Sequence, residues 1–313
     1  MTMQAHYTDT FRESVMSVLG APPDPAPLLP EVLEAFPGEG FHREKVKYQV
    51  SPGDWAYAYL FIPDKLTSSA PTVFVHHRRA ATLALGKSET AGLNGDKDYA
   101  LASELAQRGY VVFAPDAFGY EDRRFSESTG DQYDQLYLFN QLGQRLLRGE
   151  TLLKKVLWDV SRGIDYLETR TEVDSRFLGF IGCGYGGKMA LWSMAMEPRI
   201  RAAVAHNGIV TYRQQMQRNE WLQPEFVVPR LMQVADLHHI LSLIAPRPFL
   251  LSATQSSLQN SDTEETYQRA LPVYDKYGAK NRLAYYCYPG EDVFTLLMRE
   301  NAYNWLDSWL MPY

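Results

Sequence analysis

The sequence predicts an α/β domain with a mostly parallel central sheet and helices on both faces. Three observations predict it. From residue 72 onward, short apolar runs alternate with amphipathic segments. Those runs are apolar throughout rather than at every second residue, as strands buried on both faces require. Beyond residue 40 no repeat, low-complexity tract or linker divides the chain, so residues 41–313 read as a single domain. With 313 residues, 45% hydrophobic and 22% charged, the chain can bury a large core, and disordered, collagen-like and disulfide-stapled classes are excluded.

In chain order, residues 1–40 read as an N-terminal helical arm. A helix over about residues 8–19 precedes Ala21-Pro-Pro-Asp-Pro-Ala-Pro, where proline lacks the N–H that a helix needs. Two alternating stretches, 44–50 and 55–62, flank Ser51-Pro-Gly-Asp and predict an antiparallel hairpin. Strands follow at 72–75, 110–114, 177–181, 202–205, 249–252 and 282–288. Helices are expected at about 98–108, 152–167, 188–195, 264–277 and 298–310. Long excursions beyond strand ends, about 120–150 and 207–235, are where such folds place lids and pocket walls.

Charge and cysteine usage narrow the function classes. Thirty-one Lys and Arg against 37 Asp and Glu give a formal charge of −6, with no basic block to track a nucleic-acid backbone or an anionic membrane. No apolar run approaches the roughly 18 residues of a membrane span, and the polar start lacks a secretory pattern. Cys183 and Cys287 suit a reducing compartment and leave one disulfide open, so a soluble cytoplasmic protein is expected. Neither zinc spacing nor His-Glu-x-x-His occurs, so no metal or other cofactor is expected. Aromatic residues make up 13% of the chain, and those of the excursions offer a face for a homodimer.

Four stretches carry a family resemblance. They are Gly86-Lys-Ser-Glu-Thr-Ala-Gly-Leu, Leu101-Ala-Ser-Glu-Leu-Ala-Gln-Arg-Gly-Tyr-Val-Val-Phe-Ala-Pro-Asp, Ile181-Gly-Cys-Gly-Tyr-Gly-Gly and Ala245-Pro-Arg-Pro-Phe-Leu-Leu. With Tyr288-Pro-Gly-Glu-Asp-Val-Phe-Thr they span most of residues 70–313, and in this order the chain resembles the α/β-hydrolase superfamily, in its dienelactone-hydrolase and acetyl-xylan-esterase-like branch. The resemblance implies an α/β-hydrolase fold and a nucleophile on a strained strand-to-helix turn, G-x-Nuc-x-G, followed in the chain by an acid and a histidine. Aligning the glycines puts Gly184 at the nucleophile position, Ser256 at the acid and Asp292 at the histidine. None of the seven histidines follows residue 239. All three triad members then stand replaced, and ordinary serine-hydrolase chemistry is not available. Cys183 is a rescue only if Gly stood at 181 and 185, where Ile and Tyr stand. Its other reading is a small buried thiol.

What remains is a candidate pocket. The loop His76-His77-Arg78-Arg79 after the first parallel strand and the N–H of Tyr185 are the paired donors that could bind a carbonyl oxygen. His206 ends the neighbouring strand, Glu291 and Asp292 follow the last one, and Tyr120 and Arg123 are candidates for the wall. Structural readings stand beside these. His76 and His77 could be one buried cap and one exposed residue, His206 a core residue, Asp292 a helix cap and Arg78-Arg79 ion-pair partners of Asp96 or Asp98, while His238-His239 read as surface. The expected substrate is a small carbonyl or acyl compound. The leading functional expectation is non-hydrolytic acid/base chemistry of isomerase, lyase or cyclase type, with His77, His206, Asp292 or Cys183 reacting. Alternatives are a silent binding or scaffold protein, and a hydrolase with a rearranged site using Cys183 or a water activated by His77 or His206.

Overall fold

The computed structural model describes residues 3–80, 82–125, 130–257 and 259–311. Nine strands form one sheet: β1 (Glu31–Pro37), β2 (Phe41–Ser51), β3 (Asp54–Pro63), β4 (Ala70–His76), β5 (Val111–Pro115), β6 (Val173–Cys183), β7 (Ile200–His206), β8 (Phe249–Thr254) and β9 (Leu283–Tyr288). Their order is β1-β2-β3-β5-β4-β6-β7-β8-β9. The first three strands run antiparallel to their neighbours, and from β5 onward every pair is parallel, which is the expected α/β-hydrolase arrangement.

The parallel strands are buried on both faces, as their unbroken apolar runs imply. In β5, Val111 and Phe113 enter the core on one face and Val112 and Ala114 that on the other. The helix Leu152–Leu167 turns Leu153, Val156, Val160, Ile164 and Leu167, spaced three or four residues apart, into the first of these cores. The helix Tyr185–Met196 is buried on all sides: Met189, Ala190, Leu191 and Trp192 are wholly inaccessible. None of the described helices is long and apolar enough to cross a membrane.

Two parts depart from the sequence expectation. The N-terminal segment is not only a helical arm, because residues 31–37 form the edge strand β1. Val15 and Leu19 of the helix Met3–Leu19 are fully buried in the same core as the sheet. The first excursion carries a four-turn helix, Asp131–Leu147, that was not expected, and residues 126–129 of it lie outside the described residues. The second carries only short helical turns, at Tyr212–Gln217, Pro224–Phe226 and Leu231–Val234.

Thr151 helps to tie the N-terminal helix to this frame, beside Arg12, which donates to Ala195 O and Leu243 O. The Thr151 hydroxyl oxygen accepts from Lys154 N at 3.1 Å, capping the helix Leu152–Leu167, and its proton goes to Leu19 O at 2.6 Å. Thr151→Val removes both bonds while keeping the volume. An expected loss of about 1–2 kcal/mol follows from the missing cap and the buried carbonyl left unpaired. Urea denaturation measures it, and an unchanged midpoint would refute the link.

Candidate active site

The parallel strands end together. His76 of β4 lies opposite Gly182 of β6, Cys183 opposite His206 of β7, and His206 opposite Ser252 of β8. From this edge the chain turns sharply at Gly184, with φ 56° and ψ −112°, into the helix Tyr185–Met196. Glycine tolerates that backbone, whereas any other residue holds it only under strain. The close approach explains the glycines around it. A Cβ on Gly186 would lie 2.2 Å from His76 O, one on Gly187 2.5 Å from Asn207 O, and one on Gly208 1.8 Å from Gly184 O. At Gly184 itself a Cβ would meet nothing within 4 Å. The turn thus has the form of a nucleophile elbow, and of its glycines Gly184 is the one with open space for a side chain.

A cavity of about 440 Å³ opens over this turn. Cys183, Gly184, Tyr185 and Asp292 line it together with the cations Arg78, Arg79 and Lys188. The amides of Asn207, Gln215, Gln223 and Gln259 and the rings of Tyr99 and Trp221 make up much of the rest. The volume suits a small polar molecule, and the first N–H groups of the helix, which have no intrahelical acceptor, start at Tyr185.

Cys183 is 6% exposed, and burial pushes its thiol up to about 12, with the Asp292 and Glu89 charges adding to the shift. At neutral pH it is a thiol, not a thiolate nucleophile. Asp292 is exposed to the cavity and accepts a hydrogen bond from Asn207 Nδ2. Asn207 holds φ 53° and is itself buried, so this donor is fixed in place. Arg78 donates to both oxygens of buried Glu89, at 3.0 and 2.8 Å, rather than to Asp96 or Asp98, and lies over the Tyr99 ring. Arg79 stacks on Trp221, 4.7 Å from the ring centre.

The histidines expected to react are elsewhere. His76 and His77 are both buried, and their Nδ1 atoms bond to the carbonyls of His77 and Arg78 at 3.0 and 2.8 Å. Ala117 N donates to His77 Nε2 at 3.0 Å, so that ring is a neutral imidazole with both nitrogens engaged. Burial pushes His76 down to about 3 and also lowers His77. His206 is wholly inaccessible, stacked 4.1 Å from Phe294, with Nδ1 on the Ser252 hydroxyl, and burial pushes it too down to about 3. Neither His77 nor His206 lines the cavity, so neither reaches a water in it. Side chains at these strand ends turn back into the apolar layer beside the sheet, which excludes water.

The expected wall residues are internal as well. Tyr120 packs between His77 and Tyr185, at 4.7 and 5.7 Å, with no exposure. Arg123 donates to Asp159 and Asp54 at 2.8 and 3.1 Å, and Lys155 bridges the same two carboxylates, so its charge fixes the excursion. Glu291 and Ser256 are exposed and do not line the cavity. His238 is buried rather than on the surface, and His239 Nδ1 accepts from Asp236 N in a capping box. Sequence reasoning missed Asn207, Lys188 and the glutamines. Asn207 and Gly208, directly after the strand that ends at His206, were the available signal for the first.

Among the described residues, Asp116, Glu121 and Asp122 are the one set of carboxylates, histidines or cysteines close enough to share a metal ion. Lys87 Nζ already sits between them, at 2.7, 2.6 and 2.7 Å. The set therefore serves an ammonium rather than a metal, and lies apart from the cavity lining.

Comparison with known proteins places this geometry. Over 307 residues, 96% of this chain and 98% of the other, it is 27% identical to the Bacillus subtilis (strain 168) protein named "Putative hydrolase YtaP". A 116-residue stretch, 29% of this chain, is 34% identical to the 4-O-methyl-glucuronoyl methylesterase of Podospora anserina, of which it covers 24%. The glucuronoyl esterase from Solibacter usitatus superposes with a TM-score of 0.68 at 17% identity, covering 95% of this chain and 91% of that one. The described relatives are hydrolases and esterases, which overturns the expectation of isomerase, lyase or cyclase chemistry. Residues 85–242, half of the chain, match the profile of the dienelactone hydrolase family, and the protein belongs to that family.

Proposed function

We propose that this protein hydrolyses carboxylic esters of sugar-like molecules with a water molecule, not a side chain, as the attacking group. The observation that carries this is the open space over Gly184 in a cavity that Asp292 also lines. A water held there attacks the acyl carbon and gives its proton to the Asp292 carboxylate. The developing oxyanion is held at the N–H of Tyr185 and at the Arg78-Arg79 loop, which lines the same cavity. The alcohol leaves with the proton from Asp292, which completes the balance, while Asn207 keeps the carboxylate oriented. The amides of Asn207, Gln215, Gln223 and Gln259 and the Trp221 ring suit hydroxyl groups and the face of a sugar. The glucuronoyl methylesterase among the relatives supports the same substrate class. Two free cysteines support placement in the cytoplasm.

The second reading, a binding protein without chemistry, is favoured by one observation: no imidazole lines the cavity among the described residues. Turnover of methyl glucuronate decides between them. The expected result is hydrolysis above a denatured control, no covalent adduct by intact mass during turnover, no reaction with a fluorophosphonate, and a loss of about 10² or more in kcat/KM for Asp292→Asn. A trapped acyl-enzyme, or full activity in Asp292→Asn, would overturn the water mechanism. No turnover of methyl glucuronate or of p-nitrophenyl acetate would leave the binding reading.

A further inference from the structure

Lys188 stands one turn beyond the elbow, where its N–H donates to Gly184 O at 3.0 Å, and its side chain lines the cavity. The residue is 4% exposed, yet none of the described carboxylates comes within ion-pair distance of Nζ. The acidic groups that face it are committed elsewhere. Asp236 accepts from Tyr212 N and Arg213 N at 2.9 and 3.2 Å, and Asp262 and Glu220 both pair with Arg218 at 2.6 Å. What Nζ does have is Gln215 Oε1 at 3.5 Å, the Phe226 ring centre at 4.9 Å and the Tyr212 ring centre at 5.7 Å. This is an amine in a largely apolar wall with one weak acceptor, open toward the ligand space.

We propose that Lys188 is an imine-forming site for small hydroxylated aldehydes, independent of the hydrolytic reaction. The Nζ lone pair attacks the aldehyde carbon and one amine proton passes to its oxygen; the carbinolamine then loses that hydroxyl with the remaining amine proton as one water, and a C=N bond joins Nζ to the ligand. No oxidant or reductant is involved. The cavity amides supply partners for the aldehyde's hydroxyl groups. Attack needs a neutral amine, and burial pushes Lys188 down to about 8, against which the charges of Asp236, Asp262 and Glu220 pull only in part. At pH 8 its neutral fraction exceeds that of an ordinary surface lysine roughly a hundredfold.

Glyceraldehyde with cyanoborohydride tests the site on the full chain, since reduction fixes any imine as a stable adduct. Peptide mass mapping is expected to find the adduct concentrated at Lys188, with labelling half-maximal near pH 8 and a single-adduct protein by intact mass. In Lys188→Arg, whose fold is checked by circular dichroism, that adduct is expected to vanish. An adduct spread over surface lysines with Lys188 unmodified overturns the proposal, and so does Lys188 labelling that rises with pH only above about 10, as an ordinary lysine would. Because the readout is the mass of the wild-type adduct, neither failure bears on ester hydrolysis.

Discussion

Lys87→Met is expected to destabilise the protein by about 3–5 kcal/mol at pH 8, the range seen when one partner of a buried ion pair is removed. Lys87 is fully buried, and its ammonium meets Asp116, Glu121 and Asp122 within 2.7 Å. The same carboxylates also hold the backbone: Gly86 N and Ser88 N donate to Glu121, and Lys87 N donates to Asp116 at 2.8 Å. Methionine keeps the volume of the side chain and leaves three carboxylates facing one another. The pH dependence has a definite sign. Burial pushes Asp116 up to about 7 even with Lys87 pulling it down, and Glu121 adds to the upward push. Without the ammonium the main downward pull is gone, and the backbone N–H at position 87 is left to oppose burial and Glu121. A carboxyl raised in the folded state stabilises below its unfolded value and loses that contribution as pH rises through the folded one. Part of the loss should therefore return between pH 8 and pH 5. Urea denaturation at the two pH values checks this, and a variant equally unstable at both would show that the carboxylates are not the cause.

The parts of this molecule that the sequence makes legible are those with local causes. Parallel strands read as apolar runs because both faces are buried, and the hairpin of β2 and β3 reads from alternation and a Pro-Gly turn. Strand β1 does not, because almost all of it is exposed and pairing with β2 holds it through the backbone, helped by Arg43 over Phe36. The elbow is legible for the same reason as the parallel strands: backbone crowding within a few residues fixes the glycine spacing at Gly182, Gly186 and Gly187. The site around it is not. Whether a strand-end histidine faces the cavity or the apolar layer depends on packing from distant segments, such as Phe294 against His206 or Ala117 N against His77. Arg78 finds Glu89 eleven residues on rather than the acidic pair expected for it, and Lys87 gathers carboxylates 29 to 35 residues away.

A triad built at Gly184, Asp292 and Asn207 is expected to hydrolyse p-nitrophenyl acetate about 10² to 10⁴-fold faster than Gly184→Ser alone, the usual contribution of a positioned base. The space over Gly184 admits the serine side chain, at the expense of about 1–3 kcal/mol of backbone strain. Alone, its hydroxyl has no imidazole base, since His76, His77 and His206 are buried with Nδ1 engaged, and the Asp292 carboxylate is a weaker base for an alcohol. Asp292→His brings an imidazole to a residue that already lines the cavity. That imidazole needs a carboxylate to orient it, and strand order alone assigns the role to position 256. The structure assigns it to position 207. Ser256 is exposed and outside the cavity lining, whereas Asn207 Nδ2 already bonds the side chain at 292, so Asn207→Asp reaches the new imidazole without moving the backbone. Gly184→Ser/Asp292→His/Asn207→Asp should therefore react stoichiometrically with a fluorophosphonate at the introduced serine, and the version with Ser256→Asp in place of Asn207→Asp should not. Equal labelling of both triples would mean that the imidazole needs no orienting acid here. Labelling of the Gly184→Ser single variant would mean that one of the buried histidines, or Asp292 itself, already serves as its base.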